Sequence, residues 1–160
     1  TTDATGIIEQ TGSVFDTENG TYAVSGVPLG QDFTLGFTKD GDDSNGVSTF
    51  DLILISQHIL GVTPLDNPYL RIAADANASK SITTLDLIQL QKLILSLENE
   101  LPGQDSWRLI PADHDFPNPA DPWQMPLPQV LEVNGLPAQP VQLPDMIAVK
   151  IGDINGDALP

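Results

Sequence analysis

Two heptapeptides thirty-five residues apart restrict this chain more than any other feature. Val47-Ser48-Thr49-Phe50-Asp51-Leu52-Ile53 and Ile82-Thr83-Thr84-Leu85-Asp86-Leu87-Ile88 match in residue type at every position. Each opens a helical pattern. Phe50, Ile53, Leu54, Ile59 and Leu60 mark a broad apolar face on the first helix, and Leu85, Ile88, Leu90, Leu93, Ile94 and Leu97 mark one on the second. Gly61 fits the end of the first helix, and Pro64 and Pro68 keep the connection from extending it. A duplicated unit of this kind predicts two helices burying their faces on each other, with the preceding loops back to back.

Oxygen-bearing residues alternate ahead of each helix. Asp40, Asp42, Ser44, Ser48 and Asp51 fall on positions 1, 3, 5, 9 and 12 of a calcium-loop template, with the Gly46 carbonyl at position 7. Asp75, Asn77, Ser79, Thr83 and Asp86 repeat those positions, with the Ser81 carbonyl at 7. A tightly wound loop turns alternate side chains inward, which meets calcium's demand for about six to eight hard oxygens. The last ligand lies in the first helical turn, where the helix N-terminus tolerates its charge. Val47 and Ile82 stand at position 8, where paired loops bridge through apolar residues. The competing explanation is capping: Ser48 with Asp51 and Thr83 with Asp86 are capping-box pairs. Caps leave Asp40, Asp42, Asp75 and Asn77 unexplained. Position 6 is Asn45 and Lys80 where glycine is customary, so strain is expected in the second loop.

The balance of acids agrees with loop ligands. Asp and Glu number 22 against 6 Lys and Arg, for a net charge of −16, and 17 of the 22 are Asp. Asp competes with the helical backbone and belongs in caps, turns and metal loops. Such a surface repels phosphate backbones and anionic bilayers, so nucleic-acid binding and membrane docking are not expected. With no cysteine, zinc-thiolate sites, iron–sulfur clusters and disulfides are excluded. No apolar run reaches a transmembrane length. Thr1 opens a polar stretch without a basic n-region, so any signal peptide is expected to have been removed or to lie outside this sequence.

An α+β fold follows, with a calcium-loop helix pair flanked by short antiparallel β segments. Residues 1–38 read as strands: Ser13–Phe15 and Thr21–Val24 around an Asn19-Gly20 turn, then Phe33–Thr38 alternating with period two. Residues 39–100 hold the repeat. Residues 101–160 are proline-rich, with Trp107–Ile110, Val130–Val133 and Met146–Ile151 as strands packing on the helices.

The doubled Asp-x-Asp/Asn-x-Ser…Asp-Leu-Ile pattern over about residues 39–98 resembles the dockerin type I module, a pair of calcium-loop–helix repeats. Asn45–Leu52 and Ala73–Asn77 are similar to dockerin-like segments of secreted surface proteins of Bacteroidetes-type bacteria. Gly20–Gly30 is similar to the closing strands of the Cna-B or SdrD-like β-sandwich that precedes such segments. The resemblance implies bound calcium, a location outside the cell or on its surface, and a protein partner: a cohesin-like domain, a neighbouring surface domain or another copy. Dockerins engage cohesins from loop positions 10 and 11. Here these are Thr49-Phe50 and Thr84-Leu85, apolar at the second position in place of Ser-Thr, which reads as a face buried against the third zone.

The remaining motifs carry less chemistry. Asp113-His114-Asp115, between Pro111 and Pro117, reads as a polar loop rather than a converging cluster, and His58 as a helix-rim residue. Trp107 and Trp123 read as aromatic anchors before sugar platforms. Sequons at Asn19 and Asn77 read as idle. No nucleophile elbow or phosphate loop is present. Asp153, Asn155 and Asp157 repeat positions 1, 3 and 5, with no helix following. They form either an Asn-Gly turn or a third, incomplete site borrowing oxygens from a neighbouring loop or water. The expected function is a non-enzymatic calcium-binding module for assembly or attachment; the alternatives are a segment of an extracellular fibre and an ancillary part of a polysaccharide-degrading enzyme.

Overall fold

The computed structural model describes residues 29–128, 130–139 and 141–159. The expected hairpin at Ser13–Val24, the sequon at Asn19 and most of Gly20–Gly30 lie outside the described residues. The fold is α+β. Its elements are β1 (Phe33–Gly36), α1 (Thr49–Ile59), α2 (Pro68–Ala74), α3 (Thr84–Ile94), β2 (Trp107–Pro111), β3 (Val130–Val133) and β4 (Met146–Lys150). β1 pairs with β3, and β2 with β4, in two two-stranded sheets. β2 and β4 run antiparallel in a register that sets Trp107 opposite Lys150 and Leu109 opposite Ala148.

The chain divides into two compact units. The smaller comprises Thr1–Phe33 and Val133–Val141. Within it Gly30 N–H donates to the Leu136 carbonyl, Leu136 N–H to that of Gln31, and Gly135 N–H to the Asp32 carboxylate. The larger unit comprises Thr34–Glu132 and Gln142–Pro160, so the repeat and much of the proline-rich zone share it. Its core joins Ile55 and Leu90 from the repeated helices to Ile72, Ile110, Val149, Ile151 and Ile154. Side chains such as Ile55, Leu90, Ile110 and Ile151, fully enclosed, each contribute about 2–3 kcal/mol.

α2 lies where the sequence leads one to expect only a connection, although its start is written there. The Asn67 side chain caps the Tyr69 N–H and Pro68 occupies the first turn, where its missing N–H costs nothing. The helix faces also differ from expectation. α1 buries Asp51 and Ile55, and α3 buries Asp86, Leu90 and Leu93, while Phe50, Ile53, Leu60, Leu85, Ile88 and Leu97 are exposed. Both helices are apolar on two sides, so periodicity alone could not tell the inner face from the outer. The expectation that Phe50 and Leu85 are buried against the third zone is corrected: both are more than half exposed.

Gly152 sits where the ends of the core meet. Its φ of +90° is a left-handed conformation, and an added Cβ would lie 2.7 Å from Leu90 Cδ2 and 2.9 Å from Val47 Cγ2. Gly152→Ala should therefore destabilise the larger unit by about 2–3 kcal/mol, lowering the thermal midpoint by roughly 5–10 °C. An unchanged midpoint in circular dichroism would mean that this approach is not tight in solution.

His58 fastens the end of α1 to the next connection by accepting the Leu65 N–H on Nδ1 at 3.1 Å. Burial, then the positive charge of Arg71, holds its pKa below the ordinary 6.5. The unfolded chain therefore binds this proton more readily than the folded one. His58 should cost stability as pH falls from 6.5 through its lower folded value. His58→Gln, which keeps an acceptor but does not titrate, should flatten the stability profile in that window. Profiles of equal slope for the two proteins would refute this assignment.

Candidate metal centre

The loop from Asp75 to Asp86 is wound tightly on its own backbone. Asp75 Oδ1 accepts the Ser79 N–H and Oδ2 the Lys80 N–H, both at 2.8 Å. Asn77 Oδ1 also accepts the Ser79 N–H. Asp86, fully buried at the first turn of α3, accepts the Asn77 N–H on Oδ1 and the Thr83 N–H and hydroxyl on Oδ2. The Ser79 hydroxyl donates to the Ser81 carbonyl at 3.2 Å. Lys80, at position 6, has the expected left-handed φ of +63°, and Ala78 at position 4 has φ of +56°. Burial raises the Asp75 pKa above its usual value, opposed by the Lys80 and Ser79 N–H groups and reinforced by the Asp86 charge.

The same winding recurs, but not over Asp40 to Asp51. Asp153 Oδ1 accepts the Asp157 N–H and Oδ2 the Ala158 N–H, reproducing Asp75 with Ser79 and Lys80. Asn155 Oδ1 accepts the Asp157 N–H, as Asn77 does that of Ser79. Gly156 has φ of +77° at position 4, matching Ala78. At position 2, Ile154 and Ala76 are both buried. The position-12 carboxyl is supplied by Asp51, which accepts the Asn155 N–H on Oδ1 at 3.1 Å, as Asp86 accepts that of Asn77. Asp51 Oδ1 also accepts the Ile154 N–H at 2.8 Å, and Oδ2 accepts the N–H and hydroxyl of Ser48.

One loop is therefore continuous and the other is spliced from two parts of the chain. Positions 1 to 6 come from 153–158, and positions 7 to 12 from 46–51. At the splice, Gly46 lies so close to Ala158 that a Cβ on the glycine would stand 2.5 Å from the alanine Cβ. Asn45 clamps the join: its amide donates to the Leu159 carbonyl at 2.6 Å, and its carbonyl oxygen accepts the Leu159 N–H.

The structure places Asp40, Asp42 and Ser44 in a different role. Asp40 Oδ1 accepts the Ser106 N–H, which with the Gly41 N–H lowers its pKa. Ser44 donates to Asp42. Buried Asp43 accepts the Leu101 N–H, and its carbonyl receives the Lys150 ammonium at 2.7 Å. Burial lowers the Lys150 pKa, against the opposing charges of Asp43, Asp153, Asp42 and Asp40. This stretch is a strap tied to the 101–106 segment around an internal cation.

The spliced donor set, Asp153, Asn155, Asp157, Ser48 and Asp51 with the Gly46 carbonyl, is all hard oxygen. So is the continuous set, Asp75, Asn77, Ser79, Thr83 and Asp86 with the Ser81 carbonyl. Both suit calcium chemically. Among the described residues no three His, Cys, Asp or Glu side chains converge as a ready metal cluster. The carboxyls face backbone N–H groups instead. Elsewhere, Trp107 is buried, and His114 is ring-stacked edge-on with Phe116. Among the described residues no helix is long and apolar enough to cross a membrane. Comparison with family models, curated proteins and solved structures returned no match.

The sequence did hold a signal for the splice. Asp153-Ile154-Asn155 matches Asp75-Ala76-Asn77 in both ligand residues and in an apolar residue at position 2, where the 40–44 segment has Gly41. The reading of an incomplete site that borrows oxygens from a neighbouring loop fits this join, the neighbour being residues 46–51.

Asp51→Ala should strand the buried Ile154 N–H, the partly buried Asn155 N–H and the Ser48 cap together, a loss of about 3–5 kcal/mol. Amide exchange at Ile154 and Asn155 should accelerate far more than at Ile110 in the β2–β4 sheet. Uniform acceleration across the unit would mean that Asp51 supports the fold generally and not the tail in particular.

Proposed function

We propose that this chain is a non-enzymatic, calcium-organised module for assembly or attachment outside the cell, holding two calcium ions. The observation that carries the calcium reading is the burial of two acids that have no cation partner among the described residues. Asp51 and Asp86 are each 0% exposed, and neither takes part in an ion pair among the described residues. Buried carboxylates are otherwise paired with cations or coordinate metals. Each closes a loop of oxygen donors wound in the same way. Bound calcium would supply the missing positive charge, with Asp75, Asn77, Ser79 and Asp86 holding one ion and Asp153, Asn155, Asp157 and Asp51 the other. Loops of this type work at up to millimolar calcium, a concentration found outside cells.

The attachment reading rests on what the helices leave outside. Phe50 and Leu85, Ile53 and Ile88, Leu60 and Leu95, and Val62 and Leu97 are equivalent pairs in the repeat, and all are 49% to 75% exposed. Eight large apolar side chains in matched positions form a docking face for a protein partner with an apolar surface, such as a cohesin-like or neighbouring surface domain.

Metal analysis and calorimetry test the central claim. The full chain should bind two calcium ions. Asp75→Ala, or removal of the residues after Ile151, should leave one, and Asp40→Asn should leave two. At calcium a hundredfold above its dissociation constant, each site should add about 2.7 kcal/mol of stability. Undiminished stoichiometry in the truncated chain would remove the spliced site. A melting curve indifferent to chelator would remove calcium altogether.

A further inference from the structure

In a chain with 22 acidic and 6 basic residues, a basic side chain that lacks a partner calls for a cause. Lys39 lies over the Trp107 ring, Arg71 donates to the Leu65 carbonyl, Lys92 pairs with Glu98, and Lys150 is buried on two carbonyls. The other two, Lys80 and Arg108, line one cavity of about 480 Å3. Neither forms an ion pair among the described residues. Lys80 is half of the loop's left-handed turn, so its Cα is fixed by the winding around Asp75. Arg108 is held by a relay: its Nη2 donates to Gln104 Oε1 at 3.2 Å, and Gln104 Nε2 donates to the Asp75 carbonyl at 2.7 Å. One guanidinium donor is thereby occupied and four remain.

The rest of the lining is Ile72, Trp123, Met125 and Leu127 with Pro126 and Ala78. Asp75 also borders the cavity, but both its oxygens are engaged by the N–H groups of Ser79 and Lys80. The volume falls in the range of small-ligand sites. Two cations at an aliphatic wall match a carboxylate carried between aliphatic side chains. A sugar acid would ask for more aromatic platform than a single tryptophan.

We propose that this cavity binds an acidic peptide segment, with an Asp or Glu carboxylate received by Arg108 and Lys80 and the flanking aliphatic side chains laid on Trp123, Met125 and Leu127. The probe is acetyl-Leu-Asp-Leu-amide, titrated into the full chain in millimolar calcium and followed by calorimetry and tryptophan fluorescence. Saturable binding is expected, weakened at least about tenfold when the peptide's Asp is replaced by Asn, as loss of a charge-assisted contact requires. Lys80→Gly and Arg108→Gln should each weaken it similarly. Lys80→Gly also relieves a left-handed non-glycine residue, so lost binding there cannot be ascribed to unfolding. Equal affinity for the Asp and Asn peptides, or undiminished affinity in both variants, would overturn the proposal. So would failure of the peptide to bind, and binding of glucuronate in its place would reassign the cavity to an acidic sugar.

Discussion

The contact between the Asp51 carboxyl and the N–H groups of Ile154 and Asn155 joins parts of the chain 103 and 104 residues apart. Closing a loop of that length costs roughly 4 kcal/mol in chain entropy. The buried hydrogen bond from Ile154 and the partly buried one from Asn155 together contribute about 2–4 kcal/mol, comparable with the closure cost. The remainder comes from Ile151 and Ile154, which enter the same core as Ile55 and Leu90. The polar contact then sets the register and the apolar contact supplies the energy. Gly152, with no room for a Cβ, lets the two coincide.

Asp86 shows what Asp51 would be without the splice. Both cap their helices through the residue three before them, and both draw in the amide of the third loop position. The difference lies in the intervening chain. Between positions 6 and 7 the continuous loop has one peptide bond, whereas the spliced loop has the Asn45 side chain holding Leu159. A covalent link has been replaced by two hydrogen bonds. The spliced loop must therefore be the more labile of the two, and the more dependent on any ion that draws its halves together.

Much of this was legible in advance. The repeat, both helix starts, the strands at Trp107, Val130 and Met146, and the run of oxygens from Asp75 to Asp86 are all local patterns, and local patterns survive folding. What was not legible depended on long-range choices. Phe50 and Ile53 are as apolar as Leu52 and Ile55, so nothing in the helix itself says which pair faces the core. Asp40 and Asp42 carry the right side chains at the right spacing. What decides their role is Ser106 and Lys150, far along the chain, which reach them first. The short α2 is harder to read from the sequence, because Pro64 and Pro68 suggest a break although Pro68 stands at a helix start.

The distribution of charge links the interior to the surface. α1 and α3 each carry a single acid, and both of those acids are fully buried at the loop ends. The outer faces of the helices are thus free of carboxylates in a chain of net charge −16. An apolar surface on so acidic a chain resists casual association, because another acidic molecule is repelled before its apolar groups can touch. At physiological ionic strength that repulsion extends about 8 Å. On the proposed reading, a partner reaching the helices would bring an apolar patch with neutral or basic surroundings. Asp51 and Asp86 thus do two things at once: they order the loop ends, and by being buried they leave the helix faces without acid.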